Sequence, residues 1–83
     1  MTLDDVVILT DQQIREIYYD VYNGFWRACK GHVPDPDSDE WEQITGRARQ
    51  MLVKHRNCPM VQHMIQDLLD QLEARSRKGA AVL

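Results

Sequence analysis

Apolar residues return at helical spacing in three separate stretches of this chain. From Ile14 they recur at Ile17, Tyr18, Val21, Phe25 and Ala28, the 3.6-residue period of a helix with one face against a core. The start of this helix is marked twice. Thr10 and Gln13 have the spacing of a capping box, and Leu9 and Ile14 stand where a hydrophobic staple requires them. Asp11 in the first turn suits the positive end of the helix dipole. Lys30 and Gly31 supply a basic last turn and a C-terminal glycine. The pattern therefore predicts a first helix over residues 11–30.

A second helix is expected over 39–55, capped by Asp37 or Ser38 and carrying Trp41, Ile44, Ala48, Met51 and Leu52 inward. Pro59 cannot lie inside a helix without losing a hydrogen bond, but it fits a first helical position. His55 to Cys58 is thus a tight turn. The third helix runs over 59–78 with Val61, Met64, Ile65, Leu68, Leu69 and Leu72 on its apolar face, and it ends in Arg75, Arg77 and Lys78 before Gly79. Three amphipathic stripes must bury one another, so the predicted fold is all-α, a small three-helix bundle. Its single domain spans 10–79, with residues 1–9 as an N-terminal arm and 80–83 as a frayed tail. Gly24 and Gly46 interrupt this pattern, each costing about 1 kcal/mol against alanine in a helix interior. Gly24 falls on the inward arc of the first helix, where a local kink or a close backbone approach would explain it. Gly46 falls on the outer face of the second.

At 83 residues, 43% hydrophobic and 28% charged, the composition is that of one globular domain. No apolar run exceeds the four residues of Val6 to Leu9, far too few to cross a membrane. Asp4 and Asp5 precede it, where a secretory signal would be basic. A cytosolic location is expected. The two cysteines, Cys29 and Cys58, are too few to suggest a disulfide framework and read as reduced. The net charge of −3 is uneven: residues 1–40 hold nine acids and three bases, and 41–83 hold four acids and seven bases. Such a split can orient a partner, though a surface charge names none by itself.

Cys29 and His32, with His55 and Cys58, offer the ligand types of a structural zinc site. In an antiparallel hairpin, however, the two pairs lie at opposite ends of the second helix, about fourteen residues or roughly 20 Å apart. No metal and no cofactor are expected. A Cys58 thiol at a helix N-cap would be activated, yet the sequence supplies no orienting group for a nucleophile with His55 or His63. Asp67, Asp70 and Glu73 read as a solvated face, and no enzyme activity is predicted.

Two binding readings remain. Tyr19 and Trp26 stand outside the inward stripe of the first helix, seven residues apart and so on one face, with Tyr22 at its edge. Tyrosine and tryptophan are enriched in protein interfaces, which points to a small interaction protein, a homodimer or a partner of another protein, joined through Tyr19, Tyr22 and Trp26. The alternative is a nucleic-acid accessory factor touching phosphates with Arg47, Arg49, Lys54 and Arg56, since the second and third helices resemble a helix-turn-helix in outline. Against it, the third helix presents Asp67, Asp70 and Glu73 outward, where phosphates would be repelled.

The segment from Ile14 to Trp26 (IREIYYDVYNGFW), with Val61-Gln62-His63-Met64 and the ending Glu73 to Lys78, resembles small uncharacterised proteins of bacterial prophages and mobile elements. The resemblance covers about half the chain. It implies an accessory or regulatory binding protein and assigns no residue a role.

Overall fold

The computed structural model describes residues 8–78; the expected arm, apart from Ile8 and Leu9, the closing Gly79 and the expected tail lie outside the described residues. Helix α1 runs from Asp11 through Asp20, continues as a π-helical segment Val21–Trp26 and ends with Arg27–Lys30. Helix α2 is Trp41–Lys54 and α3 is Pro59–Arg77. The all-α, three-helix expectation is met, with each boundary within two residues of its predicted place.

Local chemistry explains the ends. At Thr10 the capping box is present: its hydroxyl accepts from Gln13 N at 3.1 Å, and Gln13 Oε1 accepts from Thr10 N at 2.8 Å. Helix α2 begins two residues later than expected, because Ser38 caps a turn and not the helix. Its hydroxyl accepts from Glu40 N at 3.1 Å, and Glu40 becomes the N-cap without a side-chain bond. Past Lys54, the N–H of Asn57 donates to Leu52 O and that of Arg56 to Val53 O, the paired bonds of a Schellman motif. Arg56 and Asn57 carry φ of 54° and 56°, so an arginine occupies the left-handed position that glycine usually fills. Pro59 opens α3 at its first turn.

The core takes Ile17, Val21, Phe25 and Cys29 from α1, Ile44, Ala48 and Met51 from α2, and Val61, Ile65 and Leu72 from α3. Two expectations for α1 need correction. Tyr18 is 58% exposed rather than inward, and Ala28 is exposed while Cys29 is buried in its place. The π-helical segment is the reason. Bonding from residue i to i+5 accommodates one more residue in the turn, seen here in Arg27 N donating to Tyr22 O. One residue is worth about 100° of rotation, so the last turn of α1 presents Cys29 where an unbroken α-helix would present Ala28.

Helix α1 lies antiparallel to α2: His55 and Lys54 at the end of α2 reach Asp20, and Gly24 faces Met51. It lies parallel to α3, with Tyr18 and Tyr22 beside Met64 and Leu68 and Trp26 beneath Arg75. The connection from α1 to α2 closes one end of this bundle. Pro34 is buried and its carbonyl accepts from the Ser76 hydroxyl of α3, while Trp41 Nε1 donates to Asp35 O at 2.9 Å.

Candidate interaction surfaces

The three aromatics expected to share one interface are divided by the structure. Tyr19, 69% exposed, sits on the α2 side of α1 among Gln12, Glu16, Asp20 and Lys54. Tyr22, 51% exposed, is on the α3 side. Trp26 is partly buried against the core, and the Arg75 guanidinium lies over its ring at 4.7 Å, a cation–π contact that covers it. The same 100° that exchanges Ala28 for Cys29 carries Trp26 out of line with Tyr19. A single contact face therefore cannot be centred on all three.

What the sequence pattern missed is the pairing of Tyr22 with Tyr18. Both tyrosines are more than half exposed, and together with Val21, Met64, Asp67 and Leu68 they line a shallow, mainly apolar groove between α1 and α3. The spacing of Tyr18 from Ile14 fits the apolar stripe, and the periodicity therefore places Tyr18 inward. The signal available in the sequence was its phenolic hydroxyl, which needs water or a partner.

A second surface is the outer side of α2. Gly46 would meet nothing within 4 Å if it carried a Cβ, and Val53 is 69% exposed. Arg49, Gln50 and Lys54 stand around them. Of the expected phosphate contacts, Lys54 also pairs with Asp20 at 2.9 Å, and Arg47 lies close enough to Cys29 to act on its thiol. Arg49 and Arg56 are exposed.

The four residues of the possible zinc set do not gather. His32 pairs with Glu40 at 2.6 Å in the α1–α2 connection, whereas His55 Nε2 is 3.1 Å from Asp20 Oδ2 at the opposite end of α2. Cys29 is buried, and burial pushes its thiol up from the ordinary value despite the opposing pull of Arg47. Among the described residues no three His, Cys, Asp or Glu side chains group as a metal site. Nor is any described helix long and apolar enough to cross a membrane. The chain matches no protein-family model, and no curated protein or solved structure is detectably similar to it.

Proposed function

We propose that this chain is a small interaction protein that acts by binding rather than by catalysis, and that it associates with a second copy of itself through the α1–α3 groove. Tyr22, with Tyr18 beside it, forms the centre of that contact; Trp26, held under Arg75, borders it. The observation that carries this reading is the pair of half-exposed tyrosines flanking Met64 and Leu68. Tyrosine combines a large apolar ring with a polar tip at low entropic cost, and methionine adapts to the shape it meets. In a two-fold dimer the same patch serves both subunits, so this strip meets its own copy.

Sedimentation velocity over rising concentration tests it. The wild-type chain should shift from monomer to dimer, and the double substitution Tyr18→Ser, Tyr22→Ser should abolish the shift while circular dichroism still reports full helicity. Tyr19→Ser, on the other side of α1, should leave association unchanged. A wild-type chain that remains monomeric at high micromolar concentration would overturn the self-association.

A further inference from the structure

We propose that the outer face of α2 binds duplex DNA by lying in the major groove, with Gly46, Gln50 and Val53 toward the base edges and cations on both shoulders toward the phosphates. This surface is separate from the α1–α3 groove and does not depend on it. Three observations lead there. From Arg47 to Arg56 the chain holds four cations and no acid. Arg47 and Lys54 lie on the α1 side, as their proximity to Cys29 and Asp20 shows. Arg49, at about 100° per residue, falls on the other shoulder, and Arg56 follows it just beyond the end of the helix. The cations thus form two rows rather than one cluster.

Between those rows runs a strip with little bulk. Gly46 presents bare backbone to open space, although glycine is among the poorest helix formers and nothing inside the protein requires it there. A helix is about 10–12 Å across with its side chains, close to the roughly 12 Å width of the major groove. Omitting a side chain at Gly46 lets the axis approach the floor of the groove. The Gln50 amide has the donor and acceptor needed for an adenine edge, and the Val53 methyls suit the methyl group of thymine.

The acids nearby do not block this approach. Asp20 faces Lys54 and His55 and offsets one charge of the four. Glu42 is in the first turn of α2, and Glu73 lies beside Trp41 and Thr45 at that same end. The contact therefore uses the C-terminal two-thirds of α2. Asp67 borders the α1–α3 groove instead, and Asp70, on the next turn of α3 before Glu73, accepts from Gln66.

Fluorescence anisotropy of the full chain with a labelled mixed-sequence DNA duplex tests the proposal. Binding is expected at 50 mM salt, and three to four phosphate contacts should weaken it by on the order of 10²-fold at 200 mM. The double substitution Arg47→Ala, Arg49→Ala should reduce affinity by about tenfold or more and lower the salt slope by about 2. Gly46→Leu should keep the helix content and lose most of the affinity. No binding at protein concentrations up to about 0.1 mM, the weak end of non-specific association, would overturn the proposal. So would tighter binding of single-stranded DNA or RNA than of the duplex, or a Gly46→Leu chain that binds as well as wild type.

Discussion

Gly24 of α1 faces Met51 of α2 so closely that a Cβ at residue 24 would lie 2.9 Å from the Met51 terminal methyl. The glycine is thus a packing residue, and the methionine fills the space it leaves. Because the atom in the way is the mobile end of a side chain, Gly24→Ala should cost little. The gain of about 1 kcal/mol in helix propensity is offset by the displacement of Met51. Gly24→Val has no such outlet and should destabilise by about 1–3 kcal/mol, the usual range for overpacking. Gly46→Ala, with open space around it, should instead stabilise by up to about 1 kcal/mol. Urea denaturation of the three variants gives the order directly; a stabilising Gly24→Val would contradict the packing role.

The π-helical segment has its own support. Asn23 Nδ2 donates to Tyr19 O at 2.9 Å, and Arg27 donates to the other end of the same amide at 3.1 Å. The Asn23 amide thus ties the backbone ahead of the segment to the side chain at its end. Asn23→Ala should cost about 0.5–1.5 kcal/mol, toward the lower value because the bond is exposed. Faster amide exchange over 21–27 in the variant, with α3 unchanged, would locate the loss in this segment. Uniform acceleration across all three helices would argue against it.

Arg56 holds a left-handed conformation at the position where a Schellman motif favours glycine. Removing the Cβ relieves a strain of about 1–2 kcal/mol, part of which returns as greater freedom of the unfolded chain. Arg56→Gly should therefore raise the stability by up to about 1 kcal/mol. A lower denaturation midpoint in this variant would show that the arginine side chain contributes more than its backbone costs.

Cys29 and Cys58 should react at different rates. Cys58 is half-buried at the N-cap of α3, whereas Cys29 is buried and its thiol is pushed up. Iodoacetamide at neutral pH should label one site quickly and the second only on unfolding, as intact-mass analysis would resolve. The sign of the linkage follows. A thiol raised in the folded state favours folding fully below its ordinary value of 9.0, and that contribution is lost as the pH climbs through the raised value. Cys29→Ala should flatten this part of the alkaline stability curve. Equal labelling rates in the native protein would disprove the difference in access.

The helices were legible because their start and stop signals agree with their periodicity: Thr10 with Gln13, Pro59 after Cys58, and the apolar faces of α2 and α3 each point to one answer. The π-helical segment was not. Periodicity assumes a constant angle per residue, and from Ile17 both Ala28 and Cys29 are small residues that a core accepts. Phe25, fully buried, fits the inward stripe of an unbroken helix as well and so does not reveal the extra residue. The different surroundings of the three aromatics follow from the same segment. An unbroken helix stacks Trp26 over Tyr19, and no local signal reveals that Arg75, forty-nine positions along the chain from Trp26, will cover it.

Both tryptophans belong to the same end of the bundle, Trp26 under Arg75 and Trp41 bonded to the carbonyl of Asp35. Intrinsic emission from this protein is consequently a regional signal. It follows the docking of the α1–α2 connection and the last turns of α3, where Ser76 also holds Pro34, and it is blind to the turn between α2 and α3. Opening that begins near Arg56 would pass unseen in fluorescence while ellipticity already falls, so any gap between the two melting curves measures which end of the bundle gives way first.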